Sequence, residues 1–425
     1  MISQKYQKNI LAVSVILAQL LVVLILLLDE GANRLTDYFF LSLTVLSVLQ
    51  LLVLMTYEQF IVFYNKKKAV NRVQAELFYV QVIAVSVLTA FLVVSLILFL
   101  VLIVKSYFLS QDSLFREYLD LNLLYGFLYS LPAYAVISLN DRYYNARGKI
   151  NKSYVFVLAP NLSLLIATIL WSFFLKGSIE IVGFLYSGIL WLFAIPTAFS
   201  LIKTRIKRVD CLFCGLRPFV LNSMSTRLGH NIYAISFQAI VNFILLGMQE
   251  GAVTLFNYAY RFVLAIFTVT VSPLNKVLMF ELSVLGAKNK LQNYNSISNK
   301  YIKHALFQFC ILSVLGLLML LVVKHYHQIF SLNIDLNLLA IMFVIVVVWQ
   351  LVVIIESIYV GIIITSLQSV YFVIVNSLFV LTFFFSSLVA ASYSSVLFLG
   401  VAGFLSQLFS LYLYRFLAIR TLKSI

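Results

Sequence analysis

Two arginines, Arg227 and Arg261, lie within long apolar stretches of the sequence. A charge at the centre of a membrane helix costs about 2.5 to 3.5 kcal/mol on insertion scales, so it usually faces a cavity. On a helix, each arginine shares a face with other polar side chains. These are Ser223, Asn231, Gln238 and Asn242 for Arg227, and Asn257, Thr268, Ser272 and Asn275 for Arg261. Because a polar stripe against lipid is costly, we expect both stripes to face a water-filled interior.

Simpler roles remain open for both arginines. Arg261 can tie its helix to a carbonyl or carboxylate of a neighbouring helix. Arg227 belongs to the polar run 225–231, which can lie near the membrane interface with the arginine side chain snorkelling towards it.

Motifs of catalysis and metal binding are missing from the sequence. Cys211 and Cys214 form a C-x-x-C, but the second pair of ligands that a zinc site needs is absent. The sequence contains no phosphate-cradling G-x-x-x-x-G-K-[ST], no G-x-S-x-G and no H-E-x-x-H. We therefore expect no catalytic site, no bound metal and no cofactor.

The elements that position the arginines are membrane helices. Hydrophobic residues make up 63% of the 425 residues and charged residues 11%, which is too apolar for a water-soluble domain of this length. A helix needs roughly 20 apolar residues to cross the hydrocarbon core, and on that scale the sequence divides into about twelve spans. We therefore predict an all-α, multi-pass membrane protein.

Charged residues alternate in sign from loop to loop and predict the orientation. The predicted inner loops contain Lys66, Lys67, Lys68 and Arg72, then Arg142, Arg147, Lys149 and Lys152, then Lys203, Arg205, Lys207, Arg208 and Arg217, and then Lys288, Lys290, Lys300 and Lys303. The predicted outer loops contain Asp29, Glu30 and Asp37, then Asp112, Glu117 and Asp120, and then Glu250. Cytoplasmic loops accumulate Lys and Arg, so both termini are predicted to be cytoplasmic.

This distribution also accounts for the net charge of +15. The basic residues lie along one side of a membrane, so anionic lipid headgroups, rather than a nucleic acid, are the expected counter-charge. Three carboxylates, Glu58, Glu281 and Glu356, fall near the predicted inner ends of spans. We expect them to pair with lysines of the inner loops; the alternative is that they couple transport to a proton or cation.

A repeated segment divides the chain into two halves. The stretch from Gly31 to Tyr38 reads GANRLTDY, and the stretch from Gly251 to Tyr258 reads GAVTLFNY. Each opens a long apolar helix that runs on into a basic segment. We therefore predict two copies of one helical bundle, residues 1–210 and 211–425, each of six helices. Duplicated bundles usually hold their working cavity between the halves.

Three local patterns stand out along the chain. They are Gly31-Ala32 with Thr36-Asp37-Tyr38-Phe39-Phe40, Tyr144-Asn145-Ala146-Arg147-Gly148, and Leu255-Phe256-Asn257-Tyr258-Ala259-Tyr260-Arg261. They resemble the multidrug/oligosaccharidyl-lipid/polysaccharide (MOP) exporter superfamily, and the resemblance covers essentially the whole chain. The patterns look most like the branch of lipid II and polysaccharide repeat-unit flippases. Members of the superfamily have two six-helix bundles related by pseudo-twofold symmetry.

The resemblance implies a function and a set of binding residues. It implies alternating access for a polyprenyl-pyrophosphate-linked glycan, carried across a bacterial inner membrane, with a proton or cation as a possible coupling ion. The composition gives no sign of oligomerisation, so we expect a monomer. Cationic residues in the cavity would neutralise the pyrophosphate. The expected substrate-binding residues are Arg261, Arg227, Asn257, Gln238, Asn242 and Gln19.

The first predicted span departs from the lipid II flippases. Those proteins carry arginines there, whereas residues 9–28 contain no basic residue and only Gln19 as a central polar group. The two extra carboxy-terminal spans usual in those flippases are also missing. An O-antigen or capsular polysaccharide repeat-unit flippase is therefore the leading hypothesis. The alternatives are a lipid II flippase, a drug or cation antiporter of the same superfamily, and a membrane glycan polymerase or ligase.

Overall fold

The computed structural model describes residues 34–108, 121–175, 178–205, 215–246, 252–325, 336–393 and 395–424, and isolated residues between 13 and 26. The chain divides into two compact units, Met1–Met224 (unit 1) and Ser225–Ile425 (unit 2). The sequence placed this division between residues 210 and 211, which lie outside the described residues.

The helices of unit 1 in chain order are α1 (Arg34–Leu54), α2 (Phe60–Val70), α3 (Arg72–Phe108), α4 (Leu121–Leu128), α5 (Leu131–Ala146), α6 (Ile150–Ile169) and α7 (Glu180–Arg205). Helix α8 (Arg217–Leu246) contains the division. Unit 2 continues with α9 (Ala252–Thr270), α10 (Ser272–Ala287), α11 (Tyr294–His325), α12 (Leu336–Thr365), α13 (Ser369–Ser392) and α14 (Val396–Ser424).

Within the described ranges, eight helices are long and apolar enough to cross a membrane, and a bent pair makes a ninth. The bent pair is α9 and α10, whose axes differ by 46° across Val271. Pro273 sits in the first turn of α10. A proline has no N–H to donate and its ring clashes with the preceding turn, so it favours such a break.

Two further helix breaks occur in unit 1. Helix α1 ends at Leu54 and α2 begins at Phe60, and the five residues between them form a turn held by Thr56 N–H to Val53 O (3.3 Å) and Tyr57 N–H to Leu54 O (3.2 Å). Helices α4 and α5 are separated by Tyr129 and Ser130. Broken helices expose backbone groups that need partners when they lie in a membrane.

Close helix crossings hold each unit together. In unit 1, Gly126 of α4 lies against the backbone of Gly183 on α7, and Ser187 donates a hydrogen bond to the Gly126 carbonyl at 2.5 Å. In unit 2, Gly403 of α14 lies under the indole ring of Trp349 on α12. Small residues at such crossings allow helices to approach closely where lipid provides no hydrophobic driving force.

The pattern Tyr144-Asn145-Ala146-Arg147-Gly148 forms the turn between α5 and α6. Gly148 has a φ of +72°, which a residue with a side chain rarely adopts. Its N–H bonds Asn145 O at 2.8 Å, and Lys149 N–H bonds Tyr144 O at 2.9 Å. These bonds satisfy the last carbonyls of α5 and allow α6 to begin at Ile150.

Candidate functional site

The structure places five of the six predicted binding residues on two helices, α8 and α9, and describes the side chain of one of them, Arg227. Arg227 is half-buried on α8. The backbones of Gln238 and Asn242 belong to α8, and those of Asn257 and Arg261 to α9. The side chains of these four residues lie outside the described part, and so does Gln19 as a whole.

The two predicted polar stripes are shorter than the sequence suggested. Ser223 is fully buried and accepts a hydrogen bond at 3.1 Å from the backbone N–H of Gln59 in the α1–α2 break. The prediction that Ser223 faces a water-filled interior is therefore wrong. Ser272 and Asn275 lie on α10, beyond the bend, and Asn275 is hydrogen-bonded to Tyr301 of α11. A stripe extrapolated along one straight helix could not include them.

Arg142 of α5 contacts Glu58 and Tyr57 in the break between α1 and α2. Its Nη2 donates to Glu58 Oε2 at 3.1 Å, and its Nη1 donates to the backbone carbonyl of Glu58 at 3.2 Å. The guanidinium also lies 5.6 Å from the centre of the Tyr57 ring. The sequence assigned Arg142 to a loop because it follows the predicted span 119–139, but α5 continues to Ala146. The partner predicted for Glu58 was a lysine; the observed one is this arginine.

A cavity of about 300 Å³ lies beside Arg142 within unit 1. Its walls come from α1, α5 and α6. The polar residues that line it are Gln50, Tyr134, Ser138, Asp141, Arg142 and Asn161, and the apolar ones are Leu54, Phe156, Val157 and Pro160. Ser153 donates a hydrogen bond to Asp141. The cavity wall therefore combines polar and apolar side chains.

A second polar cluster, formed by Tyr64, Glu76, Tyr143 and Arg147, lies at the ends of α2, α3 and α5. Tyr64 and Tyr143 donate to the Glu76 carboxylate at 2.8 and 2.9 Å, and Arg147 donates to the Tyr143 hydroxyl at 2.7 Å. Burial opposes the charge of Arg147, but Tyr143 and Glu76 raise its pKa above the usual value. Beside this cluster, burial lowers the pKa of Lys66. The hydrogen bonds of this cluster join α2, α3 and α5 at the predicted cytoplasmic end of unit 1.

Unit 2 contains a buried carboxylate, Glu356 of α12. It is 8% exposed and accepts a hydrogen bond from Gln407 Nε2 at 2.8 Å. Trp349 Nε1 donates to the oxygen of the same amide at 3.1 Å, which fixes its orientation. Among the described residues no basic side chain pairs with Glu356, so the expected lysine pair is not seen in this part of the chain. Glu281 of α10 has no ion-pair partner in this part of the chain either.

A nearby hydrogen-bonded chain joins three helices of unit 2. Tyr414 of α14 donates to Asn376 Oδ1 at 3.0 Å, and Asn376 of α13 donates to the Gly229 carbonyl of α8 at 3.0 Å. Gly229 lies against the Phe372 ring. The segment of α8 that carries Arg227 is thereby anchored to α13.

Comparison with known proteins identifies the fold. No family model and no curated protein sequence matches the chain. An outward-facing multidrug resistance MATE family transporter of the MOP superfamily is 11% identical with a TM-score of 0.76, covering 98% of this chain and 95% of that one. A MOP superfamily transporter from Pyrococcus furiosus, described as having a binding pocket of reverse polarity, is 10% identical with a TM-score of 0.69 and the same coverage.

A third similar structure is the MATE transporter ClbM in complex with Rb+. It is 13% identical with a TM-score of 0.69, covering 99% of this chain and 96% of that one. Identities this low show the fold alone. The chain is a multi-pass membrane protein with the fold of MOP superfamily transporters, about twelve helices in two bundles, and the predicted fold class is confirmed.

Proposed function

We propose that the protein flips a polyprenyl-pyrophosphate-linked oligosaccharide, an O-antigen or capsular repeat unit, from the inner to the outer leaflet of a bacterial cytoplasmic membrane. The observation that carries this proposal is the presence of arginines inside helices of an exporter fold: Arg227, half-buried on α8, and Arg261 on α9. A guanidinium group can donate two parallel hydrogen bonds to two oxygens of one phosphate. Arginines therefore suit a pyrophosphate that must enter the membrane.

The remaining binding residues complete the proposed substrate site. Asn257, Gln238, Asn242 and Gln19 carry amides, which donate and accept the hydrogen bonds that sugar hydroxyls make. Alternating access moves the headgroup across while the polyprenyl tail stays in the bilayer. The protein works as a monomer with both termini in the cytoplasm.

A drug or cation antiporter is the second candidate, and one observation favours it. Glu356 is a buried carboxylate in unit 2, and a MATE transporter of similar fold has been solved in complex with Rb+. However, neither the first predicted span, residues 9–28, nor the seventh, residues 219–247, contains a carboxylate. We therefore assign Glu356 to ion coupling of glycan export rather than to drug exchange.

The test is Arg261→Ala in a strain whose own copy of the gene is deleted. We expect outward-facing lipid-linked glycan to fall by about tenfold or more, because a charge-assisted contact to phosphate is worth about 1.5 to 3 kcal/mol. Periplasmic enzymatic labelling of the glycan measures the exposed fraction. Arg261→Lys keeps the charge but loses the bidentate geometry, so it should restore part of the activity.

Arg415→Ala is the matched control, since Arg415 is exposed on α14. It should export glycan like the wild type. Both variants must reach the membrane in equal amounts and unfold at the same temperature. Wild-type export by Arg261→Ala under those conditions would sink the proposed role of this arginine.

A further inference from the structure

The cavity beside Arg142 in unit 1 is lined by neither Arg227 nor Arg261. We propose that it binds one neutral pyranose unit of the lipid-linked glycan, a proposal that rests on the function above. Its volume is about 300 Å³, at the lower limit of the roughly 300 to 1,000 Å³ of small-molecule pockets. A ligand of one sugar ring fits this size, whereas a whole repeat unit does not.

Arg142 supplies hydrogen-bond donors to the cavity. A guanidinium has five N–H donors, and in the described residues Arg142 uses two of them, both on Glu58. Its side chain is 20% exposed, and it lines the cavity. The contacts with Glu58 hold the guanidinium in one orientation, so the remaining donors are positioned before a ligand arrives.

The charge balance of the cavity selects against a phosphate. The positive charge of Arg142 is already compensated by Glu58, and the carboxylate of Asp141 lines the same cavity. An anion would therefore gain little from Arg142 and would be repelled by Asp141. Asp141 is a single carboxylate, and no group of three His, Cys, Asp or Glu side chains that could hold a metal ion occurs among the described residues. A neutral ligand rich in hydroxyl groups avoids the repulsion from Asp141 and needs no such group.

The other walls match the two faces of a sugar ring. Asn161 donates a hydrogen bond to the Val157 carbonyl at 3.1 Å, which orients its amide. An amide carries two N–H donors and an accepting oxygen, and the hydroxyl of Tyr134 both donates and accepts. Phe156 and Pro160 provide apolar surface for the C–H groups of a pyranose. The Phe156 ring stacks on Tyr144 with the ring centres 5.4 Å apart and the planes 11° apart, which holds it in place.

The experiment measures binding of neutral methyl pyranosides to the purified full-length protein by saturation-transfer difference NMR. The probes are the methyl glycosides of glucose, galactose, mannose, rhamnose and N-acetylglucosamine. Asn161→Leu should weaken binding by about tenfold and Tyr134→Phe by several-fold. Asn151→Leu, on the same helix but outside the cavity, and Tyr129→Phe, half exposed at the α4–α5 break, should bind like the wild type.

Three results would overturn the proposal: no pyranoside binds, both cavity variants bind as well as the wild type, or sodium pyrophosphate displaces the sugar at constant ionic strength. The thermal unfolding temperature of each variant excludes simple misfolding. A protein that exports glycan but binds no pyranoside contradicts this proposal alone. A protein that binds pyranosides in the cavity but exports no lipid-linked glycan contradicts the proposed function alone.

Discussion

Among single residues, Glu356 is the strongest candidate for ion coupling. It is a buried carboxylate without a basic partner in the described part of unit 2. Its oxygen accepts a hydrogen bond from Gln407, whose amide is fixed by Trp349. A buried carboxylate that lacks a compensating charge is costly, so we expect Glu356 to take up a proton or a cation.

We predict that Glu356→Gln uncouples export from the ion gradient. The amide fills the same space and can keep the bond to Gln407, so the thermal unfolding temperature should stay within a few degrees. Export by the protein reconstituted into liposomes, measured with and without an imposed sodium or proton gradient, should lose its response to both. Glu281→Gln, on half-buried Glu281, should respond like the wild type. A normal gradient response in Glu356→Gln would exclude Glu356 as the coupling residue.

Arg142 shows what the sequence could not predict about the site. The residues around it, Asn140 to Asn145, are mostly polar and follow an apolar segment, so the sequence predicts a loop there. They are helical because the polar side chains find partners: Tyr79 donates to Asn140 Oδ1 at 2.6 Å and Arg142 pairs with Glu58. These partners come from α3 and from the α1–α2 break, far away in the sequence, and no local pattern reveals them.

At the level of elements, the broken helices set the geometry of unit 1. The α1–α2 break contains no proline or glycine, so nothing in the local sequence predicts it. Its backbone groups are instead satisfied by Arg142 of α5 and Ser223 of α8. In contrast, Pro273 marks the α9–α10 break in the sequence. Hydropathy measures the length of apolar segments. It therefore cannot predict a helix break that depends on contacts with distant residues.

The crossing of α4 and α7 leads to a prediction on stability. A Cβ at Gly126 would lie 2.6 Å from the backbone nitrogen of Phe184, and one at Gly183 would lie 2.6 Å from the carbonyl of Leu123. Backbone cannot move aside as a flexible side chain can. Gly126→Ala and Gly183→Ala should therefore each destabilise the protein by about 1 to 3 kcal/mol. Thermal unfolding of the full chain in detergent measures the loss.

Gly188→Ala is the control for this crossing. Gly188 lies on the same helix, α7, and a Cβ there meets nothing within 4 Å. Alanine favours a helix over glycine by roughly 0.5 to 1 kcal/mol, so this variant should unfold at the wild-type temperature or slightly above it. Equal stability of Gly126→Ala and Gly188→Ala would show that α4 and α7 do not cross as closely as described.

For the whole molecule, composition is enough to predict an all-α membrane protein, and the repeated segment adds the division into two bundles. A chain with 63% hydrophobic residues has to bury its backbone polar groups in helices when it enters a bilayer, and the similar solved structures confirm two helical bundles. The identity of the substrate depends instead on a few polar side chains, and the sequence patterns that suggest it are short. The domain boundary and the orientation in the membrane remain predictions.

Orientation can be tested with single cysteines at four exposed positions. Cys211, Cys214 and Cys310 are first replaced by serine. Ser178→Cys and Tyr393→Cys then mark the predicted outer side, and Lys149→Cys and Lys288→Cys mark the predicted inner side. All four of these positions are exposed. Because the basic loops are expected to stay in the cytoplasm, a membrane-impermeant maleimide should label the first pair in intact cells. It should label the second pair only after permeabilisation. Labelling of Lys149→Cys in intact cells would show that unit 1 has the opposite orientation to the predicted one. The proposed direction of transport would then be wrong.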